Sequence, residues 1–138
     1  METIKLTNST DLENVDRGLF GAASVRSVSV EALVDTGATM LVLPADVVQK
    51  LGLVAQWTRA VRYANGKTGS VPWVGPIRLE ILGREMNCDA LVEPAGTTPL
   101  IGQIPLEALD LIVDPKSRSL QVNPASPDTP LLDLLSVA

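Results

Sequence analysis

Ala32-Leu33-Val34-Asp35-Thr36-Gly37-Ala38-Thr39-Met40-Leu41-Val42-Leu43-Pro44 is the stretch whose reading decides the fold of this chain. Apolar residues flank Asp35 on both sides, so its carboxylate lies between two segments suited to burial. Desolvating a carboxylate without partners is costly. Thr36-Gly37-Ala38 offers a tight turn whose backbone N–H groups can hydrogen-bond it, and Gly37 allows the close backbone approach this requires. An Asp followed by Thr-Gly is also an ordinary turn former, so the tripeptide has to be weighed with the rest of the chain.

Composition narrows the chemistry. The 138 residues include no histidine and one cysteine, Cys88, and the aromatics are Phe20, Trp57, Tyr63 and Trp73. Without histidine there is no Ser-His-Asp or Cys-His catalysis within the chain and no imidazole proton shuttle. A zinc site would rest on Cys88 and carboxylates alone, so no metal and no cofactor is expected. One cysteine forbids an intrachain disulfide, and Cys88 reads as a small buried residue. Carboxylates are left as the leading groups for any chemistry.

Eleven Lys and Arg against sixteen Asp and Glu give a net charge of −5. The basic residues are scattered, without the patch a nucleic-acid binder needs. Met1-Glu2-Thr3-Ile4-Lys5 is no basic-then-apolar leader, and no apolar run approaches the ~20 residues that span a bilayer. The expectation is a soluble, cytoplasmic protein with neither nucleic acid nor membrane as partner.

Ten prolines and ten glycines punctuate short apolar runs, the pattern of a small all-β domain. Strands are predicted over 3–7, 25–34, 40–43, 60–63, 74–82, 85–92, 110–114 and 119–122. Turns at Asn65-Gly66, at Gly83 and at Pro115-Lys116-Ser117-Arg118 join three pairs of them as hairpins. Two short helices are predicted, at 44–51 with Gly52 as its stop and at 105–109. Pro124, Pro127 and Pro130 break any regular element, so 1–123 reads as the domain and 124–138 as a flexible tail. The apolar 131–135 run is suited to docking at an unspecified place, and no internal repeat is present.

A second segment, Thr98-Pro99-Leu100-Ile101-Gly102-Gln103-Ile104-Pro105-Leu106-Glu107-Ala108-Leu109, joins the first in a recognisable order. An apolar strand enters Asp35-Thr36-Gly37-Ala38, a hairpin follows around Asn65-Gly66, and Leu100-Ile101-Gly102 leads into a short helix. Over about ninety-seven residues, 26–122, this resembles the retropepsin-like aspartic proteases, the single-lobed relatives of pepsin that include retroviral proteases and many small bacterial proteins. Leu43-Pro44 and the helix ending at Leu51-Gly52-Leu53 look like the bacterial branch, whereas Gln103-Ile104-Pro105 departs from the family's usual loop.

The resemblance implies a small closed barrel-like lobe with a flap hairpin, and an aspartic endopeptidase. Hydrolysis by carboxylates needs one group to accept a proton and another to donate one. Asp35 cannot hold both roles at once, so the reading implies a homodimer that places Asp35 of each subunit at a twofold axis. By the same resemblance Thr36 makes cross-dimer hydrogen bonds, while Gly37 steadies the carboxylate and binds substrate backbone through its carbonyl. Ala38, where a serine would favour the ionised form, implies a working pH shifted upward.

Tyr63, Ala64, Asn65, Gly66, Lys67, Thr68 and Gly69 form the implied flap over a peptide or protein substrate. Val34, Leu100, Ile101 and Gly102 form the implied pocket and second loop. The alternative is a retropepsin-fold dimerisation or peptide-binding module with weak or no catalysis, since fold does not guarantee activity. Lys67-Thr68-Gly69 lacks the companion motifs of a β-lactamase and reads as flap. Asn8-Ser9-Thr10 is a sequon that matters only in a secreted chain. Asp110 and Asp114 read as solvated turn formers.

Overall fold

Alternation of inward apolar and outward polar side chains sets most of the strands. In β1 (Glu2–Asn8) Ile4 and Leu6 are buried while Thr3 and Lys5 face water. A computed structural model describes residues 1–134. After β1 come α1 (Ser9–Asp16), a 3-10 turn at Ala22–Ser24, β2 (Ser27–Val34), β3 (Leu41–Pro44) and α2 (Ala45–Leu51). The chain continues through β4 (Val54–Arg62), β5 (Thr68–Ile81), β6 (Arg84–Glu93), β7 (Leu100–Ile101), α3 (Gln103–Ala108), β8 (Leu111–Val113) and β9 (Leu120–Val122).

The protein is mostly β, as the sequence predicts. Strands pair in the order β1-β2-β7-β3-β6-β5, and β5 pairs back on β1, closing a six-stranded barrel. β4 hangs from β5 outside the ring, and β8 and β9 form a separate hairpin. Full closure leaves the ring no free edge. Inside it Ile4, Leu6, Leu41, Leu43, Ile77, Leu79, Ile81 and Ile101 form the core, with Leu51 of α2 and Leu109 after α3 packed on the ends.

The turns follow from backbone chemistry. Leu82 and Gly83 both take positive φ, 51° and 79°, the twist that joins two antiparallel strands through two residues. Gly52 ends α2 in the left-handed region at φ 63°, with its N–H donating to Gln49 O (3.0 Å) and that of Leu53 to Val48 O (3.2 Å).

Several elements differ from expectation. α1 is unpredicted, β4 starts six residues before the expected 60, β5 begins at Thr68, and α3 starts at Gln103. Asn8 fixes the start of α1: its side chain accepts from Asp11 N–H (3.1 Å) and donates to Leu51 O (2.8 Å). Asp11 in turn takes the Arg26 guanidinium at 2.9 Å on each carboxylate oxygen. That guanidinium holds the Asp11 carboxyl below the ordinary carboxylate value.

Asp110 corrects a second expectation. It is an anchor rather than a solvated turn former. Its carboxylate accepts from the Ser126 hydroxyl, from Asn123 Nδ2 (2.9 Å) and from Leu131 N–H (3.0 Å). Arg84, buried at 6% exposure, donates to Leu109 O (3.1 Å), Asp110 O (2.9 Å) and Ser126 O. The stretch after Asn123 is therefore tied to the barrel at Ser126 and Leu131. Leu131, Leu132 and Leu134 are exposed, and 135–138, the end of the expected tail, lie outside the described residues.

The Ser126 hydroxyl first, then the Asn123 amide and Leu131 N–H, hold the Asp110 carboxyl at about 2; burial opposes them and Arg84 adds to them. A carboxyl depressed on folding contributes stability above its unfolded value, about 4, and loses it as pH falls through about 2. The neutral isostere Asp110→Asn is thus expected to melt below wild type at pH 7. That gap narrows as melts are repeated toward pH 2; a gap that stays constant with pH would remove the charge from the account.

Candidate active site

Two strands and one crossing position Asp35. β2 runs parallel to β7 through Leu33↔Leu100 and Val34↔Ile101, and β7 runs antiparallel to β3 through Leu41↔Ile101. β7 therefore threads between the two arms of the 35–40 loop. Leu33 N–H donates to Pro99 O (2.9 Å) and Asp35 N–H to Ile101 O (3.0 Å) on one side. Beyond the crossing, Gln103 N–H donates to Ala38 O (2.8 Å) and Ile104 N–H to Thr39 O (2.9 Å). The loop is fastened at both ends by backbone bonds, so its shape depends little on side-chain packing.

Within the loop, Gly37 N–H donates to Asp35 Oδ1 (2.9 Å) and Ala38 N–H to Asp35 O (3.1 Å). This is the partner the sequence demanded for a half-buried carboxylate. A Cβ on residue 37 would lie 3.2 Å from Oδ1, so glycine leaves room for this contact.

Asp35, Gly37 and Ala38 border a cavity of about 600 Å³. Its far wall is the β4–β5 hairpin, contributing Val61, Arg62, Tyr63 and Ala64; Val42, Glu93, Thr97, Thr98 and Leu100 complete it. A second cavity of about 500 Å³ shares Gly37, Ala38, Val61 and Arg62 and extends past Thr39, Met40, Arg59, Ala60, Trp73 and Ile104. The carboxylate thus sits on a cleft roofed by a hairpin, with space along the loop.

The hairpin turns at Gly66 (φ 82°), where Gly66 N–H donates to Tyr63 O (2.9 Å), Tyr63 N–H to Lys67 O (2.8 Å) and Lys67 N–H to Asn65 Oδ1 (2.9 Å). The Tyr63 ring lies across Gly69, where a Cβ would come within 3.3 Å of a ring carbon. Loss of solvent pushes the Tyr63 phenol above its ordinary value, and the charge and hydrogen bonding of Glu93 add to this.

Of the residues the sequence singled out, Asp35, Gly37, Ala38, Tyr63, Ala64 and Leu100 meet at the first cavity. Asn65, Gly66, Lys67 and Thr68 form the hairpin tip and its exit and do not line it, and Thr36 is exposed beside it. Two of the expected pocket residues do not line this cavity. Ile101 is fully buried in the core and Val34 packs against that core, because each alternates with a neighbour facing the other way. Gly102 lies under the loop, at the crossing.

Val42, Val61, Arg62, Glu93, Thr97 and Thr98 are wall residues that the motif reading missed. Glu93-Pro94, a charge closing an apolar strand, was the available signal. Cys88 takes no part: burial first, and then the Asp89 charge, push its thiol up to about 12, so it carries no thiolate at neutral pH. Among the described residues, no three His, Cys, Asp or Glu side chains converge as a metal site, and no helix is long and apolar enough to cross a membrane.

A comparison with curated proteins found no match. A family match spans residues 22–108, well over half of the chain, and includes the Asp35 loop, the hairpin and the β7 crossing. With the closed all-β lobe around those same segments, the chain belongs to the gag-polyprotein putative aspartyl protease family and is retropepsin-like.

Proposed function

We propose that the protein is an aspartic endopeptidase that acts as a homodimer. The observation that carries this reading is the Asp35 carboxylate, pinned by Gly37 N–H beside a cavity large enough for peptide side chains. One carboxylate cannot be acid and base at once. Two Asp35 side chains brought together at a twofold axis share one proton and act as a unit. The ionised partner takes a proton from a bridging water, whose oxygen attacks the scissile carbonyl carbon. The protonated partner gives its proton to the carbonyl oxygen. As the diol collapses, the carboxyl that took the water proton gives it to the amine nitrogen, while the other carboxylate takes a proton back from a diol hydroxyl. The C–N bond breaks, the singly protonated pair is restored and no covalent enzyme intermediate forms.

In this reading the β4–β5 hairpin is a flap that closes over an extended peptide. Thr36, exposed and without a side-chain hydrogen bond among the described residues, supplies the cross-dimer contact. The Gly37 carbonyl holds substrate backbone. A cytoplasmic setting belongs to the same reading, supported by a single cysteine that can form no intrachain disulfide.

Mixing tests the dyad. At constant total protein, equal parts of wild type and Asp35→Asn leave about one quarter of the dimers with two intact carboxylates if subunits assort at random. Peptide cleavage is expected to fall to about that fraction of the all-wild-type rate, and specific activity to fall on dilution. Independent active monomers would give about half, unchanged by dilution, and would overturn the dimer.

A further inference from the structure

The second cavity differs in charge from the first. Asp35, Glu93 and Arg62 border the first, whereas no Asp or Glu lines the second, whose charged residues are Arg59 and the shared Arg62. Neither arginine makes an ion pair among the described residues, in a chain of net charge −5. Arg59 is also positioned. Its guanidinium carbon lies 5.7 Å from the centroid of the Trp73 ring, within cation–π range.

The Trp73 ring is itself fixed. Its Nε1–H donates to Asp89 Oδ2 (2.8 Å), and Trp57 stacks on it at 5.7 Å between centroids, 26° between planes. Asp89 is thereby engaged by the indole rather than by Arg59. Met40 and Ile104 contribute apolar side chains to its lining, and Gly37 and Ala38 join it directly to the Asp35 loop.

We propose that this cavity is a specificity subsite for an acidic peptide side chain, Asp or Glu, held by Arg59 and Arg62 while its aliphatic stem rests on Met40 and Ile104. The inference rests on reading the cleft as peptide-binding and adds to it a substrate class. Guanidinium groups match a carboxylate in shape as well as charge. Both are exposed, so the pair favours acid over neutral isostere by roughly tenfold and weakens as salt rises.

The test compares peptides that differ only by Glu or Gln at each position around the cleaved bond. Wild type is expected to favour Glu roughly tenfold in kcat/KM at one fixed position. In Arg59→Gln/Arg62→Gln the Glu-to-Gln ratio falls toward one, and in Arg59→Glu a Lys peptide gains on the Glu peptide. Equal use of Glu and Gln by wild type, or a ratio unmoved in the double variant, overturns the subsite. Binding of the same fluorescent peptides to the Asp35→Asn chain separates this inference from the hydrolysis reading. Tighter binding of the Glu peptide with no cleavage by wild type keeps the subsite and removes the protease, whereas equal binding removes the subsite.

Discussion

Asp35→Asn is expected to lower kcat for peptide cleavage by about 10³-fold or more while leaving the fold and peptide binding in place. The magnitude is that of losing positioned acid–base catalysis. The fold survives because an Asn side-chain oxygen can still accept from Gly37 N–H, and the backbone bonds of the loop, Ala38 N–H to Asp35 O and Asp35 N–H to Ile101 O, do not involve the side chain. Thermal melts should therefore overlap within a few degrees as activity disappears. The combination matters, because a folding defect would lower both together. Full proteolysis by Asp35→Asn would remove the carboxylate from the chemistry; equal inactivity of wild type and variant, with peptide still bound, would favour a binding module. Ala38 bears on the same measurement: Ala38→Ser adds a hydroxyl donor beside the carboxylate, and its activity optimum is expected to move to lower pH than that of wild type.

The parts of this molecule legible in its sequence are those where burial writes a period. Ile77, Leu79 and Ile81 alternate with Arg78 and Glu80, and the second half of β5 follows from that alone. β4 carries no such signal. Eight of its nine residues are exposed, because it hangs from β5 outside the barrel, so only its last residues were visible. α1 buries none of its residues and leaves no helical stripe; Asn8 as its cap, with Asp11 three positions on, was the clue that remained.

The site divides in the same way. Asp35 stands out because a carboxylate between apolar strands needs a backbone partner, and Gly37 supplies it. Leu100 and Ile101 look equivalent in a motif, but adjacent strand residues face opposite ways, and one lines the cleft while the other fills the core. Arg59, Arg62 and Glu93 acquire their roles only when the hairpin folds over the loop, a juxtaposition across dozens of residues that no local pattern records.

Gly102→Ala is expected to be strongly damaging although it adds a single methyl. Glycine here is not needed for an unusual backbone angle, since residue 102 has φ −88° and ψ −174°, open to any residue. It is needed for closeness. A Cβ would lie 2.4 Å from Met40 O and 2.7 Å from both Met40 N and Thr39 C. Those are backbone atoms, so no side chain can swing aside. Relief requires pulling β7 away from the 39–40 segment, and the bonds lost first are Gln103 N–H to Ala38 O and Ile104 N–H to Thr39 O, which fasten the Asp35 loop from below. Gly52, by contrast, meets only the end of the Arg26 side chain, which can move, though its positive φ brings its own cost. Overpacking against fixed backbone, together with two strained loop bonds, costs on the order of 3 kcal/mol or more. In a domain whose total stability is about 5–15 kcal/mol, that lowers the melting temperature by roughly 10 °C or more. The loss of activity is expected to exceed the loss of folded protein, because the residual folded fraction holds Asp35 on a displaced loop. Activity per folded molecule, measured at a temperature where circular dichroism shows the variant folded, separates the two effects. A variant that melts with wild type and cleaves with wild-type kcat would show that the crossing has slack the geometry denies.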